Sequence, residues 1–419
     1  MKTRKAIAGT NLEQAKSHNR RVVIEAVRTH GDLSRADIAR ITALSSQTAS
    51  NIVEELVASG VLQAEPLRKP KRGQPATPYS INPTGAYSIG LQLDHQLLVG
   101  AVIDLAGKVC FRAEQKVDRP NPAMALPVLT RLIDDLRAGA GLSAKSVLGI
   151  GLAMPGPFGV EGMTSVGPTT LPGWRDFPIA EELHRQTGYP VTVENDANAA
   201  AIGERLYGVA RKLSDFVYIF IGTGLGAGMF LNGHLYRGNR RNAGEIGHMT
   251  VMPEGLPCGC GNQGCLECYV SLRAAYEFLD LPDVDHASPL QLEEMIANDD
   301  ARMAQWIADA VMPLRQAIHN LELMFDPEAI ILGGFMPLLV IEKIVAALEP
   351  LPLSVSSYTE RSVPRVLVGA AGRDTAVLGA AALPIFGEFN PQFDVLLKPH
   401  ESALHIYDGT LYEQQNGRN

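Results

Sequence analysis

The stretch Asn242–Cys268, NAGEIGHMTVMPEGLPCGCGNQGCLEC, limits what this chain can fold into more than any other. Four of the five cysteines in 419 residues fall between Cys258 and Cys268, and His248 sits ten positions before the first of them. Thiolate and imidazole are the ligands zinc prefers, and three cysteines with one histidine make a closed tetrahedral site. Such clustering in a cysteine-poor chain points to a metal rather than to small buried side chains in a loop. Gly259, Gly261 and Gly264 let the backbone turn tightly enough for the sulfurs to converge. The spacing predicts a structural Zn2+ held by His248, Cys258, Cys260 and Cys265. An all-cysteine set using Cys268 in place of His248 is the alternative.

Composition narrows the class. Hydrophobic residues make up 46% and charged residues 20%, as in an ordinary soluble protein of two or three domains. No run of 18 or more apolar residues is present, so no membrane partner is expected. The first residues, MKTRKAIAGTNLEQ, lack the apolar core of a secretory signal. Few cysteines, clustered at metal spacing, suit a reducing cytoplasm. The net charge of −8 hides an asymmetry: residues 1–80 carry 13 Lys and Arg against 7 Asp and Glu, while 81–419 carry 24 against 38. A basic head on an acidic body suggests that only the head meets a polyanion.

The head reads as a winged helix-turn-helix. Val22, Val23, Ala26 and Val27 give residues 18–30 a helical period, which Gly31 ends. Ser34 is placed to cap a helix over Arg35–Ile41, and Ser45 a third helix over Ser46–Ser59. Ile38, Ala39, Leu44, Ala49, Ile52, Val53 and Leu56 would form the shared core. Ser46, Gln47, Thr48, Ser50 and Asn51, near the start of the third helix, are short polar groups able to reach base edges or phosphates in a major groove. Val61–Glu65 and Tyr79–Ile81 can pair as a wing. Its tip carries Lys69, Lys71 and Arg72, suited to phosphates or a minor groove.

After a Pro-rich linker the chain alternates strands and helices twice. Runs at Tyr87–Leu93, Leu97–Ile103 and Val109–Val117 precede a helix, Ala123–Arg137, and a strand, Val147–Ala153. Strand Val191–Glu194 leads through Asn195-Asp196 into a helix, Ala197–Tyr207. Phe216–Gly222 and Gly226–Leu231 repeat the hairpin. Helices at 270–280, 290–298 and 302–325 follow, then strands Ala329–Leu332 and Arg365–Val368 and a helix, Thr375–Phe386. Two β-rich then α/β halves suggest a two-lobed α/β body with a cleft between the lobes. The expected division is 1–82 for the head and linker, 83–195 for the first lobe and 196–419 for the second, with the C-terminal segment returning to the first. Asp196, between a strand and a helix, is expected to be favoured in its ionised form by N–H groups and the helix dipole.

Gly247-His248, nine residues, then Cys-Gly-Cys-Gly-x-x-Gly-Cys-x-Glu resembles the signature of the ROK family, which joins repressors, open reading frames and sugar kinases. The head is similar to the winged head that ROK repressors carry and ROK kinases lack. The resemblance implies an actin/hexokinase-like body whose zinc supports a sugar site. It also implies that His248, Glu245 and Glu267 touch sugar hydroxyls. Asp196 matches the general base of the family's kinases, and Asn195 another sugar contact. Gly156, in a Pro-Gly-Pro turn, would let the backbone approach the sugar. Pro172-Gly173-Trp174 also fits, although the Asn usual three positions earlier has no counterpart at Thr169 or Thr170. The kinases' phosphate turn, Asp-x-Gly-Gly-Thr-Lys, aligns with Gln92-Leu93-Asp94-His95-Gln96-Leu97, which keeps none of its residues. Sliding the register to Asp94 restores only an acid. The second Gly-rich turn, Gly222–Gly228, is intact, but a tight hairpin needs glycines anyway.

These features imply a sugar-responsive transcriptional regulator, a repressor with no catalytic residues. Its expected partners are operator DNA and a sugar or sugar phosphate. A homodimer or dimer of dimers is expected, because two-fold operators mirror dimeric heads. The other readings are a sugar kinase with an accessory DNA-binding head, and a DNA-binding protein whose body only oligomerises.

Overall fold

The structure, a computed structural model, describes residues 12–66, 76–94, 97–156, 173–174, 177–239, 241–282, 289–355, 360–370 and 372–390. The chain divides into two compact units, one drawn mainly from residues up to Ser80 and the other from Ile81 to Glu388.

The head holds α1 (Leu12–His30), β1 (Leu33–Ser34), α2 (Arg35–Thr42), α3 (Ser46–Ala58), β2 (Leu62–Ala64) and β3 (Pro78–Ile81). Apolar periodicity shows only the second half of α1. Its first turns are polar and are held by ion pairs from Lys16 at 2.9 Å and Arg20 at 3.9 Å to Glu55 on α3. Val23, Val27, Ile38, Ala49, Ile52, Val53 and Leu56 close a shared core. Leu44 remains half-buried. Ser45 caps α3 by accepting from the Thr48 N–H at 3.1 Å. The strands pair in the order β1-β3-β2. β1, two residues long, is too short to show a period. The wing tip, with Lys69, Lys71 and Arg72, lies outside the described residues.

Ser34 completes a capping box at the start of α2. Its hydroxyl accepts from the Asp37 N–H at 3.2 Å, and the Asp37 carboxylate accepts from the Ser34 N–H at 3.3 Å. Ser34→Ala should lower the head's stability by about 1 kcal/mol. Urea unfolding followed by a probe in α2 measures this, and an unchanged midpoint would remove the capping box from the account.

The body repeats one plan. Its first half contains β4 (Tyr87–Leu93), β5 (Leu97–Asp104), β6 (Val109–Lys116), α4 (Pro122–Gly139), β7 (Val147–Met154), α5 (Ile179–Thr187), β8 (Val191–Asn195) and α6 (Asp196–Leu206). The second half contains β9 (Phe216–Ile221), β10 (Leu225–Leu231), β11 (His234–Leu235), α7 (Glu267–Val270), α8 (Leu272–Leu279), α9 (Leu290–Ala297), α10 (Ala301–Phe325), β12 (Ala329–Gly334), α11 (Leu338–Ala347), β13 (Val366–Val368) and α12 (Thr375–Phe389). The sheet orders are β6-β5-β4-β7-β8 and β11-β10-β9-β12-β13. In each, a meander of three antiparallel strands is extended by two parallel ones. The parallel strands β9 and β12 are apolar throughout and fully buried, as sheets covered on both faces require.

Helices α4 and α5 close one core with Ile89, Leu91, Leu129, Ile133 and Leu183. Helices α7 to α11 close another with Ile219, Tyr276, Trp306, Leu314 and Ile344. The C-terminal helix α12 lies on the first sheet. A methyl at Gly151 would strike the Ala380 carbonyl, and one at Gly90 the backbone of Val377 and Ala381. Helix α11, LLVIEKIVAA, is too uniformly apolar to show a helical period, which is why pattern reading passes over it.

Candidate functional site: a cleft beside a cysteine–histidine cluster

The metal-spaced residues converge. One ligand atom each from His248, Cys258, Cys260 and Cys265 lies within 4.8 Å of all the others. The loop closes on itself through Cys258 N–H to the Asn262 carbonyl at 2.8 Å and Leu266 N–H to the Met249 carbonyl at 2.9 Å. Bridges at Thr250–Cys265 and Pro257–Gln263 make it a small irregular hairpin. His248 Nδ1 lies 3.6 Å from Cys258 Sγ, and Cys260 Sγ lies 3.7 Å from Cys265 Sγ. A tetrahedral ion with metal–sulfur bonds of about 2.3 Å needs sulfur–sulfur edges of roughly 3.8 Å, so the donor set fits. Cys268 stands outside the cluster, its thiol 3.7 Å from the Pro257 carbonyl.

Burial pushes the Cys258 thiol up to about 12 and the Cys265 thiol up to about 11. Burial also acts against ionised Cys260, but the Asn262 N–H and the two neighbouring thiols outweigh it and hold that group below its ordinary value. A divalent cation held among the thiols would supply the charge that lowers all three.

Beside this cluster runs a cleft of about 850 Å³, counting space open to solvent, lined by Gly156, Asn195, Asp196, Glu245, His248 and Glu267 together. The strand ends explain the convergence. Asp94 follows β4, Gly156 follows β7, Asn195 ends β8, Gly222 follows β9 and Phe335 follows β12, and all line the cleft. Ligands of open α/β sheets sit beyond the carboxyl ends of the strands. Gly244, at φ +99°, packs where a side chain would strike the Ala227 carbonyl, and so presents Glu245 to the cleft. Glu267 Oε1 lies 3.2 Å from Cys258 Sγ and 3.5 Å from His248 Nδ1, linking metal cluster and cleft.

One expectation about this corner changes. The N-cap of α6 is Asn195, whose side chain accepts from the N–H groups of Ala197 and Asn198 at 2.9 and 3.4 Å. Asp196 is not favoured in its charged form. It is half-buried by exposed area but enclosed by protein around its carboxyl, and desolvation pushes it up to about 7. The Ala197 N–H opposes the shift, while the carboxylates of Asp94 and Glu245 add to it. Glu245 is also raised, by burial first, with His248 opposing and Glu267 adding.

Sequence reading missed Asn198, Arg241, Phe220 and Phe335, and took Asp94 only as a displaced acid. Phe220 and Phe335 meet edge to face at 5.2 Å beside the cleft. The signal available was position, since Asp94 and Phe335 each follow an apolar strand. His95 and Gln96 of the first turn, and Thr169, Thr170 and Pro172, lie outside the described residues. Trp174 turns from the cleft, donating from Nε1 to the Pro120 carbonyl at 2.7 Å.

In the head, Ser46, Gln47 and Asn51 are exposed, while Thr48 and Ser50 are half-buried. Gln47 donates to Asn51 at 2.8 Å. Thr48 meets the Ser45 hydroxyl at 2.8 Å. Ser50 accepts from Arg35 at 2.9 Å, and Arg35 also pairs with Glu54 and lies over the Tyr79 ring. Ser50 is therefore committed to the head's own packing. Among the described residues no helix is long and apolar enough to cross a membrane.

Two similar sheets with a cleft at their strand ends, preceded by a winged helix, define a DNA-binding head on an actin/hexokinase-like body. The ROK family model matches residues 88–385, and the chain belongs to that family. A MarR family model matches 21–73. A xylose repressor of Caldicellulosiruptor bescii is 28% identical over 83% of this chain and 94% of its own length. A glucokinase of Halalkalibacterium halodurans is 31% identical over 70% of this chain and 94% of its own. A solved ROK family transcriptional regulator, a homologue of the E. coli MLC protein, covers 91% of this chain and 98% of its own at a TM-score of 0.70 and 24% identity.

Proposed function

We propose that this protein is a sugar-responsive repressor whose operator affinity changes when a sugar enters the cleft, without chemistry on the sugar. The observation that carries this reading is the pairing of a shared sugar-facing set with an altered first turn. Gly156, Asn195, Asp196, Glu245, His248 and Glu267 share the cleft, whereas Asp94 stands where the kinases' phosphate turn begins its glycines. A phosphoryl-transfer site needs N–H groups and a cation around the phosphates. At this turn Asp94 offers a carboxylate in place of the glycines' N–H groups, and its charge repels phosphate oxygens. The similarity to a xylose repressor covers 83% of this chain, whereas the glucokinase similarity covers 70%.

In this reading the cluster of His248, Cys258, Cys260 and Cys265 holds one structural zinc, which fixes His248 and Glu267 toward the sugar. The protein acts in the cytoplasm as a homodimer or dimer of dimers. The chain passes between lobes at Asn195-Asp196, and sugar favours one arrangement of the lobes. A ligand shifts such an equilibrium only by its difference in affinity for the two states.

The test is operator affinity by fluorescence anisotropy with and without D-xylose, alongside a coupled ATP-consumption assay. The expected result is a change of about 5–150-fold in operator affinity with ATP consumption at background. Linkage requires operator DNA to change sugar affinity by the same factor. Equal operator affinity with the cleft saturated would leave the cleft without a regulatory role. Turnover in the range of roughly 1–100 per second, abolished by Asp196→Asn, would make the protein a kinase.

A further inference from the structure

Glu194, the residue before Asn195 at the end of β8, is an acid with only 5% of its side chain exposed. Its carboxylate is shared among three donors. Oε2 accepts from Arg237 Nε at 2.8 Å, and Oε1 accepts from Asn198 Nδ2 at 3.1 Å and from the Asn195 N–H at 3.2 Å. Arg237 belongs to the other sheet, two residues past the end of β11. Its carbonyl accepts from the Ala243 N–H at 3.1 Å. Beyond Ala243 come Gly244, Glu245 and the turn carrying His248. One guanidinium–carboxylate contact therefore spans the two sheets. One of its ends is the corner that presents Asn195 and Asp196, and the other is the base of the loop that presents Glu245 and His248.

We propose that Arg237 is a positioning residue of the sugar site, its ion pair with Glu194 holding these two segments in register across the cleft. The proposal rests on reading the cleft as a sugar site. Arg237 touches no sugar in this account. Asn198 is tied to the same carboxylate. It is 2% exposed, it lines the cleft, and its Oδ1 is buried without a hydrogen-bond partner. Because Nδ2 must donate to Glu194, the free atom is an acceptor. The network thus fixes the orientation of the amide as well as the spacing of the two segments.

An ion pair serving only general stability behaves differently from one that sets register. Arg237 keeps 36% of its side chain exposed while Glu194 is buried, so removing the guanidinium strands a buried carboxylate, whereas making both partners neutral strands no charge. Arg237→Gln, Glu194→Gln and the double variant separate the two roles. The readouts are thermal unfolding, hydrogen exchange at the amides of Ala243–His248, and D-xylose affinity. Arg237→Gln should lower the melting temperature, speed loop exchange about 10-fold or more, and weaken D-xylose binding about 10–100-fold, the scale of outer partners that orient ligating groups. Exchange in β9 and β12 should stay unchanged. The double variant should regain the wild-type melting temperature but neither loop protection nor affinity. Recovery of all three in the double variant would reduce the pair to a stabilising contact and overturn the proposal. If the wild-type protein takes up no D-xylose, the sugar reading is what suffers, and loop exchange still decides the role of Arg237. Unchanged loop exchange in Arg237→Gln overturns it in either case.

Discussion

Replacing Cys265 with alanine should empty the metal site and disable the cleft together. Purified protein should hold about one zinc per chain, and the variant close to none by elemental analysis. Cys265 is fully buried, and Leu266 beside it is too. Backbone hydrogen bonds such as Val251 N–H to the Gly264 carbonyl at 2.9 Å and Gly264 N–H to the Leu256 carbonyl at 2.8 Å also tie the loop, so the cysteines' share is the convergence of the thiols. Structural zinc contributes on the order of 10 kcal/mol in small domains that fold around it. Here the surrounding sheet survives, so the expected loss is local, seen as fast exchange and easy proteolysis across 249–268. Glu267 and His248 both lose their support, and hydrogen bonds to charged groups are worth about 1.5–3 kcal/mol each. Two of them amount to a fall in sugar affinity of roughly 10²–10⁴-fold. Cys110→Ala, at an exposed thiol outside the cluster, should change nothing. Cys268→Ser should retain zinc, and its loss there would revive the four-cysteine alternative. A Cys265→Ala protein that keeps both metal and sugar binding would end the zinc assignment.

The convergence of His248, Cys258, Cys260 and Cys265 was legible because these residue types are rare and the glycines among them mark turns. Coordination needs only local convergence, and sequence spacing reports local convergence well. The strands of both sheets, except the two-residue β11, were legible for a related reason. β4 spans Tyr87–Leu93 as its apolar run indicated, since a strand covered on both faces leaves a continuous hydrophobic signature. The ionisation of Asp196 was not legible. Strand-then-helix placement argues for charge stabilisation, but desolvation and the carboxylates of Asp94 and Glu245 outweigh it. Both neighbours lie far away in sequence: Asp94 comes from the end of β4 in the same sheet, and Glu245 arrives only when the second sheet faces the first. The Glu194–Arg237 pair was hidden for the same reason, as 43 positions separate its partners. Short elements such as β1 and α7 carry too few residues to show any period, and α11 carries too little polarity.

Asp196 should make the body's stability fall as pH rises through neutrality. Its carboxyl is pushed from an ordinary value of 3.8 to about 7 in the folded chain. A group with a raised folded value holds its proton in the native state while the unfolded chain has released it. Between about pH 4 and pH 7 the folded state therefore binds more protons, and stability declines with pH. The contribution is fully present below the unfolded value and lost above the folded one. A difference of about three units corresponds to roughly 4 kcal/mol, and water in the cleft reduces this to about 2–4 kcal/mol. Asp196→Asn removes the titrating group while keeping its shape. The variant should match the wild type near pH 4 and exceed its stability at pH 8 by that amount. The gap should open between about pH 4 and 7, when thermal unfolding is followed at several pH values with other conditions fixed. Asp94→Asn should narrow the wild-type slope, because one of the neighbouring carboxylates is then neutral. Burial remains the larger cause, so the slope should not vanish. Melting curves of wild type and Asp196→Asn that run parallel from pH 5 to 8 would show that Asp196 is not held in its neutral form. The cleft would then present a full charge to its sugar at every physiological pH.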